Sequence, residues 1–184
     1  MRHDNLHING VEYKFNHLMP LDLSINLEAH NKNSELTVSL TFFFSNHCYT
    51  EGVKENEDIS EQFLLLDHNQ NQRKFCINRY QMSLQLPELL KQLHTKKCFF
   101  TGRQNWLVIE VLNNSGENIF YHVFFNIKKH KRKKNGLFIE IQSAYIKEKG
   151  ENTPTRRKNE RMSFAMIARK IITGKPIKSP HSRR

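Results

Sequence analysis

Residues 119–148 read IFYHVFFNIKKHKRKKNGLFIEIQSAYIKE, and this stretch decides the fold. Tyr121, Val123, Phe125 and Ile127 recur at every second position, and so do Leu137, Ile139, Ile141, Ser143 and Tyr145. A period of two belongs to a strand with one buried face, and β-branched and aromatic side chains fill both runs. Between them lies HKRKKNG, whose Asn135-Gly136 suits a chain reversal. The spacing predicts two antiparallel strands joined by a loop crowded with positive charge.

Working outward, CFFTG (98–102) and NWLVIEVL (105–112) add strands on the N-terminal side, punctuated by Gly102 and by Asn113-Asn114-Ser115-Gly116. Turn residues at such short spacing predict an antiparallel meander. Residues 35–44 (ELTVSLTFFF) place Leu36, Val38, Leu40, Phe42 and Phe44 on one face and Thr37, Ser39 and Thr41 on the other. Leu21, Leu23, Ile25 and Leu27 alternate in the same way downstream of an Asn9-Gly10 turn. Pro87 opens a short helix in which Leu86, Leu89, Leu90 and Leu93 share a side. MSFAMIARKIITGKP (162–176) sets Phe164, Ile167, Ala168 and Ile171 at helical spacing and stops at Gly174 and Pro176. These patterns predict an α+β domain over residues 1–150, with a mostly antiparallel sheet of five to seven strands and two or three short helices. A basic linker and amphipathic helix packing on that domain (151–175) and a loose basic tail (176–184) complete the expected layout.

The chain of 184 residues carries a net charge of +11, unevenly spread. Residues 128–184 hold 18 basic and 4 acidic residues, a net of +14, which leaves −3 for residues 1–127. Thirteen phenylalanines and five tyrosines exclude a disordered polyelectrolyte. Such asymmetry in a folded chain points to a polyanionic partner, nucleic acid above all, with RNA favoured over DNA. A membrane surface fits less well, because the one basic helix is short and has no Trp on its apolar face. The opening MRHDNLHING lacks the apolar core of a secretion signal. Cys48, Cys76 and Cys98 form no CxxC pair, so a reducing cytoplasm is expected, without disulfides or zinc knuckles.

Lys128, Lys129, Lys131, Arg132, Lys133 and Lys134 are the strongest binding candidates, joined by Arg156, Arg157, Lys158, Arg161 and Arg169. Crowded cations repel one another, and a bound polyanion relieves that repulsion while releasing counterions. The plain alternative is a solvated hairpin tip that protects an edge. His47 follows directly on the strand at 35–44, where a sheet fixes a side chain and a loop exposes it. A histidine there suits proton transfer near neutral pH, although histidines more often cap or fill a core. His122 sits mid-strand opposite Val123 and Phe125. Ser143 and Tyr145 offer hydroxyls where an apolar strand face turns polar, and Arg79 and Arg103 flank turns. No phosphate loop, HExxH or GxSxG occurs, and acidic residues are scarce in the C-terminal half. No cofactor or metal is therefore expected.

LTFFFSNHCYTEG (40–52), followed by INRYQMSLQLPELLKQL (77–93), resembles small phage and integrative-element proteins of the stationary-phase growth adaptation type. YHVFFNIKKHKRKKNGLFIEIQSAYIKE, ending in Ser143-Ala144-Tyr145, resembles the closing strands of the barnase–EndoU–colicin–RelE ribonuclease superfamily. That second resemblance implies a small antiparallel sheet packed on helices and RNA cleavage without metal, with Ser143 and Tyr145 carried over as site residues. The combined expectation is a toxin-like, metal-independent endoribonuclease in which His47 or His122 is the base and Tyr145 with Ser143 meets the phosphate. Two alternatives stay open. One is a non-catalytic nucleic-acid-binding accessory or regulatory protein of a mobile element. The other is a protein-interaction module whose basic arm meets an acidic partner such as an inhibitor.

Overall fold

The computed structural model describes residues 3–29, 34–101, 106–114, 117–146 and 161–177. Strands β1 (Leu6–Ile8), β2 (Val11–Tyr13), β3 (Leu21–Leu27), β4 (Leu36–Phe44), β5 (Thr50–Gly52), β6 (Leu64–Leu66) and β7 (Gln72–Phe75) come first. Helices α1 (Ile77–Ser83) and α2 (Leu86–Lys91) precede β8 (Lys97–Phe100), β9 (Trp106–Asn114), β10 (Glu117–Lys129) and β11 (Gly136–Ile146). The described chain closes with β12 (Arg161–Ser163) and α3 (Phe164–Ile172). The main sheet has seven strands in the order β12-β8-β9-β10-β11-β4-β3. All its pairs are antiparallel except β11–β4. The fold class is α+β, as the periodicities indicate, and β8 to β11 form the expected meander.

Apolar burial explains why these strands hold one face inward. Val38, Leu40, Phe42 and Phe44 of β4, Leu137, Ile139 and Ile141 of β11, and Tyr121, Val123 and Phe125 of β10 are all buried. Helix α3 covers this face with Phe164, Ile167 and Ala168, each fully buried. Ser163 caps its start by accepting from the Met166 N–H, and Gly174, at φ +68°, ends it in the left-handed conformation glycine tolerates best. A full aliphatic or aromatic side chain withdrawn from water contributes about 1.5–3 kcal/mol, so this face dominates the stability. The three-stranded sheet β5-β7-β6 and α1 enclose a second aromatic cluster of Tyr13, Phe15, Tyr49, Phe75 and Tyr80.

Three features depart from the sequence expectation. First, β11 runs parallel to β4, joining two segments far apart in sequence that alternation alone cannot pair. Second, Ile77–Ser83 is helical, although only two turns long and without a capping side chain to announce it. Third, Ser143 and Tyr145 do not share the face of Leu137, Ile139 and Ile141. Phe124 pairs with Ser143 and Phe125 with Ile141, so Gln142 is an extra residue, a β-bulge. The bulge reverses the phase of alternation, and Ala144 turns into the core while Ser143 and Tyr145 turn to the other side.

Candidate nucleic-acid interface

The bulge gives the outer face of the main sheet its chemistry. On that face β10 contributes Phe124 and Lys128, β11 contributes Phe138, Ser143 and Tyr145, and β4 contributes Phe43. Phe43 and Phe138 stack with centroids 4.7 Å apart and planes 21° from parallel. Phe124 and Tyr145 stack at 5.6 Å and 16°. Lys128 Nζ lies 4.6 Å from the Phe138 centroid, within cation–π range. Phe43, Phe124, Phe138 and Tyr145 are each half-buried, with one face of each ring taken by its stacking partner. Half-exposed, ordered rings on a sheet face offer flat apolar surface to a planar ligand.

The basic loop lies at one end of this platform. His130 Nδ1 accepts from the Arg132 and Lys133 N–H groups, and the His130 N–H donates to the Gly136 carbonyl, which fixes the reversal. Within it the cations divide by role. Lys133 Nζ reaches Asp22 at 2.7 Å and Thr41 Oγ1 at 2.9 Å, and Lys129 Nζ donates to the Ile172 carbonyl. These two hold the loop against β3, β4 and α3. Lys131, Arg132 and Lys134 are exposed, as is Lys128 above its ring. Arg161 lies over the Phe99 ring at 5.1 Å, and Arg169 donates to the Leu27, Glu28 and Ser34 carbonyls. Arg169 therefore fastens α3 to the β3–β4 connection. Arg103, Arg156, Arg157 and Lys158 lie outside the described residues.

At the far end, β4 runs into a 3-10 turn over Asn46–Cys48 that carries His47, with Ser45 Oγ accepting the His47 N–H. His47 Nε2 lies 3.2 Å from Asp67 Oδ2. Asp67 opens a turn in which Oδ1 accepts from the N–H groups of Asn69 (2.8 Å) and Asn71 (3.0 Å), with the Asn71 amide also in reach. Burial works against that carboxylate, but these donors outweigh it and hold the group ionised, far below the usual range. Burial, then the nearby Arg73 charge, lower the pKa of His47 against the pull of Asp67. With Asp67 ionised, a neutral imidazole here donates its Nε2–H to that carboxylate, which leaves Nδ1 with the lone pair a general base needs.

Arg79 joins this corner to the platform. Its guanidinium donates to the His47 carbonyl (3.4 Å) and the Thr50 carbonyl (2.8 Å), and its Cζ stands 4.8 Å from the Tyr145 centroid. The structure therefore brings His47, Arg79, Tyr145 and Ser143 to one end of the outer face. It does not bring His122 there as a usable base: that ring is 2% exposed, packed beside Phe124 and Tyr145. Of the two histidines singled out in the sequence, His47 is thus the one with solvent access. Cys48, fully buried, has its thiol pushed up to about 12 and is no nucleophile. Sequence reasoning missed Asp67 and Arg73. The Asp-His-Asn-Gln-Asn run at 67–71 carries the signature of a side-chain-capped turn, and an alternating strand with Phe43 on its Thr/Ser face signals an outward ring.

A sequence model of the YjaZ family matches residues 5–172. The chain is similar to Protein YjaZ of Escherichia coli strain K12, 25% identical over 159 residues that cover 85% of this chain and 83% of that protein. No solved structure matches the chain. These matches overturn both resemblances drawn above. The family spans the very stretches on which they rested, and nothing in the comparisons points to phage stationary-phase proteins or to the barnase–EndoU–colicin–RelE superfamily. The Ser143-Ala144-Tyr145 ending, read as a ribonuclease signature, is here a strand end displaced by a bulge.

Proposed function

The chain belongs to the YjaZ family, and from its geometry alone we propose that it binds single-stranded nucleic acid across the outer face of its seven-stranded sheet. The observation that carries the reading is the pair of ring stacks, Phe43/Phe138 and Phe124/Tyr145, set between a basic loop and a pair of arginines. Bases stack on accessible aromatic rings, and phosphates pair with flanking cations. Single strands are favoured over duplexes because only unpaired bases present their faces to a flat sheet. Each stacked base is worth about 1–3 kcal/mol. Phe138→Ala and Phe124→Ala should each weaken binding of a single-stranded RNA oligonucleotide by roughly tenfold or more, read by fluorescence anisotropy. Wild-type affinity in both variants rejects this surface. Salt-sensitive binding to an acidic protein, with none to RNA or DNA, supports the protein-interaction alternative instead.

The His47–Asp67 pair favours a second reading, metal-independent cleavage of RNA. His47 Nδ1 would take the proton from a ribose 2′-hydroxyl as that oxygen bonds to phosphorus and the P–O5′ bond breaks, the 5′-oxygen taking a proton from water, while Arg79 balances charge on the phosphate. Under this reading RNA incubated in EDTA is cut, and His47→Ala abolishes the cutting while binding persists. Intact RNA in EDTA leaves the binding function alone.

A further inference from the structure

We propose that Arg73 and Arg79, with His47 beside them, form a binding site for a phosphate group at the Tyr145 end of the outer sheet face. Arg73 comes from β7 and Arg79 from α1, yet both donate to one acceptor, the Thr50 carbonyl, at 3.1 and 2.8 Å. Two like charges drawn to a single neutral oxygen repel each other. Among the described residues neither guanidinium has a carboxylate within ion-pair distance. Asp67, the nearest acidic group on His47, already holds Asn69, Asn71 and the imidazole. Burial, then the charge of Arg79, depress the pKa of Arg73. Asp67 and Glu51 pull the other way without forming an ion pair with either guanidinium, so both arginines keep N–H donors for an anion.

The Tyr121 hydroxyl, on the core face of β10, is fully buried without a hydrogen-bond partner, and of the two arginines only Arg79 acts on it. A tetrahedral phosphate supplies enough oxygens to meet two forks and further donors, whereas a carboxylate has only two. This site deepens the nucleic-acid reading, because a strand stacked on Tyr145 carries its backbone towards Arg79. The phosphate chemistry itself does not depend on that reading.

The test is a titration of the full chain with inorganic phosphate at constant ionic strength, against chloride, following the His47 ring by NMR. The expected result is a saturable, phosphate-specific shift of His47 and a rise in its pKa, since an anion favours the imidazolium. Asp67, His68 and Arg73 act on that ring, and Arg79 reaches the His47 backbone carbonyl. Arg73→Gln should weaken phosphate binding by about tenfold or more, the loss expected for a charge-assisted hydrogen bond, and Arg73→Lys should recover part of it. Both arginines also tie Thr50, so Arg79→Lys is the variant to use at that position, and an unchanged thermal midpoint in Arg73→Gln shows that its fold is intact. A response equal to that of chloride, or wild-type affinity in Arg73→Gln, overturns the proposal. Oligonucleotides with and without a 5′-phosphate then identify the source. Tighter binding with the terminal phosphate marks an end group, and equal binding that Arg73→Gln weakens marks an internal phosphodiester. Phe138→Ala separates the two readings, because it should lower oligonucleotide affinity and leave inorganic phosphate untouched.

Discussion

His17 illustrates how one residue converts burial into pH sensitivity. Its ring stands among Phe15 and Tyr80, with Nε2 2.8 Å from Ser83 Oγ. Burial, then the charge of His3, lower its pKa from 6.5 to about 4. His3 and His47 are lowered as well, each by burial first. The unfolded chain therefore binds protons between pH 6.5 and about 4 that the folded chain refuses. Where the unfolded state holds more protons, stability rises with pH, so acidification through that window destabilises the fold. The thermal midpoint should fall by several degrees on going from pH 7 to 4.5, and His17→Gln should flatten part of that slope. An unchanged midpoint would mean that these rings protonate without resistance. The wider lesson at this scale concerns His47: its place at a strand end was legible, but its partner Asp67 was not. Asp67 stands twenty residues further along, beyond β5 and β6, and only the fold closes that gap.

At the scale of elements, alternation was legible and its interruptions were not. The inward faces of β3, β4 and β10 follow from period two, and α3 follows from its apolar spacing and its Gly174 stop. Gln142 breaks the count, because a bulge adds a residue without any sequence mark as clear as a turn pair. One unmarked residue moved Ser143 and Tyr145 from the core face to the outer face, where Tyr145 meets Arg79. The loop before β11 shows the opposite case, a constraint visible in sequence whose reason only the structure supplies. A Cβ built on Gly136 would stand 2.5 Å from Lys133 Cβ and 3.0 Å from the Lys133 carbonyl oxygen. Asn135, at φ +50°, already takes the left-handed conformation beside it. Gly136→Ala must then open the loop that His130 and Lys133 close. It should cost about 1–3 kcal/mol in denaturant unfolding, the range for forced overpacking. It should also weaken RNA binding by displacing Lys131, Arg132 and Lys134 together. Ser39→Ala on the neighbouring strand lacks such a contact and serves as the control.

Over the whole molecule, charge and aromatic surface are divided between the two ends of one sheet face. The excess of +14 in residues 128–184 was plain from the sequence, but its distribution by role was not. Lys129, Lys133 and Arg169 spend their charge on carbonyls, on Asp22 and on the packing of α3. Lys131, Arg132 and Lys134 remain turned to solvent. These two groups should separate in a salt titration. Each phosphate neutralised on a single strand contributes about 0.7 to the slope of log affinity against log salt. Replacing Lys131, Arg132 and Lys134 by Gln should therefore reduce that slope by about 2, with little change in thermal stability. Lys133→Gln should do the reverse, lowering stability through Asp22 and Thr41 while the slope moves by less than one contact. If all four substitutions change the slope equally, Lys133 leaves Asp22 to meet the ligand, and the loop rearranges on binding. If none changes it, the strand does not reach this end of the face, and its phosphates are met by Arg73 and Arg79 alone.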